Sequence, residues 1–407
     1  MQKYRRLKYA CYTTNITMAI VGNMPPVLFL TFRTLYGISY SLLGLLILIG
    51  FVTQLIIDLI FSFFSHKFNI PLTVKLTPFV AAVGLLIYAA APIFFPNSVY
   101  LGLVIGTFVF SFSSGLAEVL ISPVIAAIPS KDPDREMSKL HSVYAWGVVP
   151  VIIISTLFIL LCGSKNWQFI AVIFSSIPLL SCFLFFNAEI PQMETPEKTS
   201  SALGFLKNKT LLLCVLGIFF GGAAECTMAQ WSSSYIEKAL NIPKVWGDIF
   251  GVALFGVMLG LGRTLYAKKG KNITKVMIIG SIGAALCYGL VAITENAIIG
   301  LTACAFTGFC TAMLWPGSLV AASDRFPKGG VFVFALMAAG GDLGASVGPQ
   351  LVGIITDAVI QNPTALRLAE SLSLNPEQIG MKAGMLVGML FPVMAIFVFT
   401  YLHRKKT

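Results

Sequence analysis

Four acidic side chains of this sequence lie inside long apolar runs, where a charge is unexpected: Asp58, Glu118, Glu225 and Asp342. A charged group in the lipid interior is costly, so an acid at that depth is by default a candidate functional residue. Loss of hydration favours the neutral carboxyl group over the carboxylate. We therefore predict that these acids bind and release protons. The alternatives are a permanently neutral acid and a buried ion pair.

Polar and aromatic side chains in the same apolar runs are candidate solute contacts. Amides hydrogen-bond to hydroxyl groups without carrying charge, which suits a neutral polyol better than an ion. The candidates are Asn15, Asn23, Gln54, Tyr144, Trp146, Gln230, Trp231 and Trp315. For the tryptophans the alternative is packing in the core or against lipid. For Gln54 it is a hydrogen bond to Asp58 one helical turn away.

Arg263 ends the segment Gly260-Leu-Gly-Arg, near the end of an apolar run. We predict that it forms a gating ion pair, with extension of the side chain to the membrane surface as the alternative. The sequence has no set of His, Cys and carboxylate residues at metal-ligand spacing and no GxxxxGK[ST] phosphate loop. We therefore expect no metal, no cofactor and no enzymatic activity.

The elements that carry these residues are predicted to be transmembrane helices. Hydrophobic residues make up 57% of the chain, charged residues 11%, and the mean hydropathy is +0.86. A soluble domain carries about 25% charged residues. Breaks at Gly, Pro and charged clusters leave twelve spans, each near or above the ~20 residues that cross a bilayer. They are 9–32, 39–65, 72–95, 98–128, 138–163, 166–187, 209–238, 245–267, 273–293, 296–323, 329–358 and 378–402.

The basic residues orient these spans, because cytoplasmic loops are enriched in Lys and Arg. With the N-terminus in the cytoplasm, 22 of the 28 Lys and Arg residues fall on the inner side. We therefore expect both termini in the cytoplasm and the protein in the cell (inner) membrane. The net charge of +11 is then explained by attraction to anionic lipid, with no nucleic acid partner.

The longest polar cytoplasmic stretch divides the chain into two parts of similar size. We predict an all-α membrane protein with an N-terminal six-helix bundle (1–188), a linker (189–208) and a C-terminal six-helix bundle (209–407). Two such bundles are the architecture of many secondary transporters, in which they rock about a binding site at the membrane midplane.

Four segments of the sequence resemble the major facilitator superfamily, and within it the fucose–galactose–glucose proton symporter group. They are Glu118–Pro123 with the following Leu140–Gly147, Gly222–Glu225, Leu314–Gly317 and Gly340–Pro349. The sequence departs from the group at two positions. Pro26 stands near where the group has an acid in the first span, and Ser122 stands where it has an Asn before Pro.

The resemblance implies a proton-coupled symporter in which Glu118 and Glu225 couple proton movement to that of the solute. We expect the solute to be small and polar, a monosaccharide or a related compound, and the protein to be a monomer. The alternative is an exporter of hydrophobic or amphipathic compounds by proton antiport, which 32 Phe and 14 Met residues would suit. Sodium stays open as a coupling ion.

Overall fold

The computed structural model describes residues 4–64, 67–129, 133–191, 208–269, 272–326 and 330–404. The first six helices of this part are α1 (Arg5–Tyr36), α2 (Tyr40–Phe64), α3 (Ile70–Phe94), α4 (Val99–Ala127), α5 (Pro133–Cys162) and α6 (Gln168–Phe186). The others are α7 (Lys209–Leu240), α8 (Lys244–Gly247), α9 (Leu254–Lys269), α10 (Ile273–Ile293), α11 (Ala297–Thr311), α12 (Leu314–Arg325), α13 (Gly330–Gln361), α14 (Pro363–Ser371), α15 (Pro376–Gly388) and α16 (Leu390–Arg404). A π-helical segment, Asp248–Ala253, joins α8 to α9.

Twelve stretches of the described residues are helical, long enough and apolar enough to cross a membrane. Each overlaps one predicted span, so the predicted all-helical membrane fold with twelve spans is confirmed. Three spans of the described residues are not continuous α-helices, and one of them is the twelfth, which is interrupted at Met389 between α15 and α16. The eighth contains the π-helical segment, and the tenth is interrupted between α11 and α12.

The interruption of the tenth span has a local cause in Pro316. Proline has no backbone N–H, so it cannot donate to the carbonyl four residues earlier in a helix. That carbonyl belongs to Ala312, which lies in the turn between α11 and α12. The free carbonyl is used by the functional site described below.

Residue contacts divide the chain into two compact units. Unit 1 comprises residues 1–28 and 49–200, and unit 2 comprises residues 29–48 and 201–407. The core of unit 1 includes Leu7, Ile57 and Leu120, and that of unit 2 includes Leu211, Met337 and Phe399. Of the predicted linker 189–208, residues 192–207 lie outside the described residues. The predicted division into two bundles stays a prediction.

Unit 2 includes the turn between α1 and α2, which is tied to C-terminal helices by two carboxylates. Asp357 Oδ2 accepts hydrogen bonds from Ser41 N (2.7 Å) and Ser41 Oγ (2.5 Å). Glu377 Oε1 accepts from Arg33 Nε (3.2 Å), Arg33 Nη2 (3.1 Å) and the Tyr40 hydroxyl (3.2 Å). The carboxylate of Asp357 thus satisfies a backbone N–H at the start of α2 that has no partner within its own helix.

Helices α7 and α13 approach closely because a glycine stands at their contact. A Cβ atom added to Gly344 would lie 1.9 Å from the carbonyl oxygen of Phe219. No side chain fits in that space, so the backbones meet directly, as small residues allow in membrane helices. This contact fixes α7, which carries Glu225, against α13.

Candidate functional site

Glu225 and Arg263, both predicted site residues, form an ion pair within unit 2. Arg263 Nη2 lies 3.1 Å from Glu225 Oε1, and the two side chains are 28% and 14% exposed. Glu225 stands in the middle of α7, whereas Arg263 is near the end of its span. The guanidinium therefore has its counter-ion at membrane depth, where an uncompensated charge is costly.

The backbone of the α11–α12 turn fixes the guanidinium from a second side. Arg263 Nε donates to the carbonyl oxygen of Ala312 at 3.2 Å. This carbonyl is the one that Pro316 leaves without a helical donor. A proline in the tenth span thus supplies an acceptor that orients the arginine of the eighth span.

The two oxygens of Glu225 have different surroundings. Oε1 accepts from Arg263, whereas Oε2 is buried and has no hydrogen-bond partner among the described residues. A buried polar atom without a partner costs free energy, and a carboxylate oxygen more than a neutral one. A proton on Oε2 would remove that charge, so this oxygen is the candidate proton-binding atom of the site.

Trp315 packs against two glycines, one of which is on the helix that carries Glu225. Its ring atoms lie 2.9 Å from a Cβ added to Gly222 and 2.5 Å from one added to Gly341. Gly222 precedes Glu225 by one helical turn, so the ring and the carboxyl group neighbour the same face of α7. The side chain is partly exposed.

Unit 1 contains a second pair of predicted acids. Carboxylate oxygens of Asp58 and Glu118 lie within 4.8 Å of each other, with Asp58 fully buried and Glu118 half-buried. Two carboxylates this close are not both ionised without strong repulsion. The pair is therefore a candidate site for a shared proton. Asp342, the fourth acid, is buried in α13 of unit 2.

The polar candidates of unit 1 differ in burial and in hydrogen bonding. Asn15 is buried and donates to the Leu140 carbonyl at 2.6 Å, and Asn23 donates to the Ala19 carbonyl of its own helix at 2.9 Å. Gln54 is half-buried where α2 meets Gly115 of α4. Tyr144 is half-buried, with its hydroxyl 3.6 Å from a Cβ added to Gly22 of α1.

The other aromatic and amide candidates range from fully buried to exposed. Trp231 is fully buried, its indole N–H donates to the Pro349 carbonyl at 2.9 Å, and it packs against Phe29 and Tyr40. Gln230 is buried and Trp146 is 52% exposed. In this conformation Trp231 presents no surface to a solute.

A buried ion pair at the start of the π-helical segment was not among the predicted site residues. Lys244 Nζ lies 2.9 Å from Asp248 Oδ2, Asp248 is fully buried, and Ser233 Oγ donates to Asp248 Oδ1. The spacing of four residues is a signal that sequence reasoning can use. The position of Asp248 near a span end makes it a weaker candidate than the four acids inside the apolar runs.

A cleft of about 450 Å³ in unit 2 was also not predicted. It is lined by Leu30, Arg33, Thr34, Gly37, Lys238 and Glu377. The Arg33 guanidinium lies 4.1 Å from the centre of the Tyr40 ring, and Lys238 Nζ lies 3.5 Å from Glu377 Oε2. Arg33 and Glu377 are 344 residues apart, so no sequence pattern connects them.

Solved structures with the same fold include several transporters. A bacterial homolog to the human lysosomal transporter Spinster, inward-facing and occupied, has 11% identity and a TM-score of 0.74, covering 99% of this chain and 97% of its own. A D-xylose-proton symporter has 15% identity and a TM-score of 0.74, covering 96% and 97%. The fucose:proton symporter of E. coli has 14% identity and a TM-score of 0.65, covering 100% and 99%.

The sequence comparisons give the family. Among curated proteins, none matches this sequence significantly. The family model of the Major Facilitator Superfamily matches residues 10–349, which is most of the chain. With twelve apolar helices and transporter structures as neighbours over nearly their whole length, the chain belongs to the major facilitator superfamily and is a multi-pass membrane transporter of small-molecule solutes.

Proposed function

We propose that this transporter moves a small polar solute, a monosaccharide or a related compound, together with protons by alternating access. The single observation that carries the proposal is the pair of Glu225 and Arg263. It holds a carboxyl group at membrane depth with one oxygen bound and the other buried without a hydrogen-bond partner among the described residues.

The geometry suits a cycle in which Glu225 gains a proton on one side of the membrane and loses it on the other. Burial opposes the carboxylate, whereas Arg263 supports it. A change in the distance between the two side chains therefore changes how readily Glu225 holds a proton. The pair of Asp58 and Glu118 offers a second acid that can share in this coupling.

The solute class is supported by solved structures with the same fold. They include a fucose:proton symporter, a D-xylose-proton symporter and a nucleoside transporter, all of which carry hydroxyl-rich compounds. The amide and aromatic candidates Gln54, Tyr144 and Trp315 are partly exposed and remain our proposed solute contacts.

The test is accumulation in proteoliposomes with an imposed pH gradient, using labelled monosaccharides and the aldonic and uronic acids derived from them. We expect the wild type to accumulate at least one compound only with the gradient. Glu225→Gln should retain exchange but lose accumulation by about tenfold or more, because one uncompensated charge interaction changes an equilibrium by that factor. Glu118→Gln reports in the same way on the acid pair of unit 1.

The matched control is Glu370→Gln, which removes an exposed acid on α14 and should leave accumulation unchanged. If no compound accumulates, or if Glu225→Gln accumulates as the wild type does, the proposal fails. Hydrophobic and amphipathic compounds would then be tested for proton-driven export, the alternative that the Phe and Met content favours.

A further inference from the structure

We infer that the solute of this transporter carries a carboxylate, so that it is a sugar acid or a similar hydroxylated acid, and that its carboxylate replaces Glu225 as the counter-ion of Arg263. The inference rests on the proposed function, because it requires that Glu225 is the group that takes up the proton. It adds the chemical class of the solute and the charge moved per cycle.

The first step concerns the charge that remains when Glu225 is protonated. An arginine side chain keeps its positive charge at any pH a protein meets. In the described part of the chain, Glu225 Oε1 is the carboxylate that binds Arg263. Neutralising Glu225 therefore leaves a guanidinium at membrane depth without an anion, which is costly.

The second step concerns the donors that Arg263 still offers. Among the described residues, Nε bonds to the Ala312 carbonyl and Nη2 to Glu225, and Nη1 makes no hydrogen bond. A guanidinium has five N–H groups in a planar fork that matches a carboxylate. When a proton neutralises Glu225, Nη2 is released, so Nη1 and Nη2 together can bind an acid while Ala312 continues to hold Nε.

Several other charged side chains on elements packed against α7 have partners other than Glu225. Lys244 and Asp248 bind each other, Lys382 donates to the Thr294 carbonyl, and Arg325 donates to the carbonyls of Ala321 and Leu402. Among the described residues, Arg263 is the basic side chain within ion-pair distance of Glu225. Asp342 on α13 is the other buried acid that enters the test.

The third step is the charge balance of the cycle. In the empty site, Arg263 is positive and Glu225 is negative. In the loaded site, Arg263 is positive, the solute carboxylate is negative and Glu225 is neutral, because the proton lies on Oε2. Both states have zero net charge, so neither exposes an uncompensated charge to the apolar interior. One anion and one proton cross together, and the transport is electroneutral.

A neutral sugar would behave differently at the same site. The loaded state would then carry the positive charge of Arg263 alone, and each cycle would move one positive charge inward. An inside-negative potential would drive such a cycle, since one charge crossing the membrane is worth about 2.3 kcal/mol per 100 mV.

The experiment uses the full chain in proteoliposomes and matched pairs of probes. D-glucose is compared with D-gluconate and D-glucuronate, and D-galactose with D-galactonate and D-galacturonate, under a pH gradient with and without a potassium–valinomycin potential. We expect an acid to accumulate at least about tenfold more than its neutral partner. We also expect the potential to leave that accumulation unchanged.

Variants identify the groups involved. Glu225→Gln should exchange the sugar acid across the membrane without a response to the pH gradient. Arg263→Gln should no longer transport the sugar acid. Arg263→Lys keeps the charge but not the fork, so it should transport the acid more weakly and keep the preference for acid over sugar. It also covers the case in which Arg263→Gln fails to fold. Arg367→Gln, on exposed α14, is the matched control and should equal the wild type.

Three results would contradict the inference, and they differ in what they mean for the proposed function. Proton-driven accumulation of a neutral sugar, stimulated by an inside-negative potential, overturns this inference and leaves the proposed function standing. If Asp342→Asn abolishes that accumulation of a neutral sugar, Asp342 and not the solute replaces Glu225 as the counter-ion of Arg263. If no compound responds to the pH gradient, both the inference and the proposed function fail.

Discussion

At the scale of single residues, the position of Arg263 depends on a proline in another span. Pro316 leaves the Ala312 carbonyl free, and Arg263 Nε donates to that oxygen. Local backbone chemistry in one span thus determines the orientation of a charged group in another. Because the Ala312 carbonyl has no helical donor, it is free to accept a hydrogen bond from Arg263.

The Pro316→Ala variant tests this relation. Alanine restores a backbone N–H that competes with Arg263 for the Ala312 carbonyl, so we expect proton-driven uptake to fall several-fold. The free energy of unfolding should change little, because Pro316 lies in the first turn of α12, where proline is tolerated. Pro178→Ala in α6 of unit 1 is the control. Unchanged uptake in Pro316→Ala would show that this carbonyl does not position the arginine.

Trp231 illustrates the opposite case, a candidate solute contact that is part of the core. Trp231→Phe removes the N–H that satisfies the Pro349 carbonyl, so we expect a loss of about 1–3 kcal/mol in stability. Thermal unfolding in detergent measures that loss, and the KM for uptake should stay unchanged. A raised KM with unchanged stability would instead place Trp231 in contact with the solute.

The residue types of the site could be predicted from the sequence, whereas their partners could not. Glu225 stands in an apolar run, and the cost of a charge in lipid singles it out. Its partner Arg263 is 38 residues away on another helix, and no helical spacing relates the two. The burial of Trp231 was not predictable either, because a tryptophan inside a span looks the same in sequence whether it faces core, lipid or solute.

At the scale of helices, the contact between α7 and α13 depends on the absence of a side chain at Gly344. Gly344→Ala places a methyl group against the Phe219 carbonyl, so the helices must separate. We expect destabilisation by about 1–3 kcal/mol or more, measured as a lower unfolding temperature in detergent.

Gly260→Ala is the matched control for this prediction. A Cβ at Gly260 meets nothing within 4 Å, so the variant should be neutral or up to about 1 kcal/mol more stable, as helix propensity favours alanine. Equal effects of the two substitutions would show that close approach at Gly344 does not hold the helices together.

The spans themselves were predictable because length and hydropathy are properties of a segment alone. The first residues of α7 and α15 were also predictable from N-capping. Asn208 and Asn375 accept hydrogen bonds from backbone N–H groups in the first turn of the helix that follows each of them. The interruption at Ala312 could have been expected from Pro316. The π-helical segment could not, because its sequence, Asp248–Ala253, has no residue that demands a wider turn.

At the scale of the whole molecule, the orientation in the membrane rests on the distribution of basic residues and can be checked with one native cysteine. Cys162 is exposed at the end of α5, on the side that we predict to be outside. A membrane-impermeant maleimide should label it in intact cells, and Cys162→Ser should abolish that labelling.

The control places a cysteine on the side predicted to be cytoplasmic. In a Cys162→Ser background, Glu189→Cys should react only after the membrane is permeabilised. Labelling of Glu189→Cys in intact cells, together with no labelling of Cys162 in the wild type, would reverse the predicted topology. The transporter assignment would stay unaffected, because it does not depend on orientation.

The π-helical segment between α8 and α9 has a consequence for the direction in which Arg263 points. A π turn holds about one residue more than an α turn, and each residue of an α-helix advances by about 100° around its axis. Every side chain after Ala253 is therefore rotated by about that angle from its place in an unbroken α-helix. If the segment were an unbroken α-helix, Arg263 would point away from Glu225 even with the same side-chain rotamer. The π-helical segment thus sets the rotation of α9 about its axis, and the ion pair forms at only one such rotation.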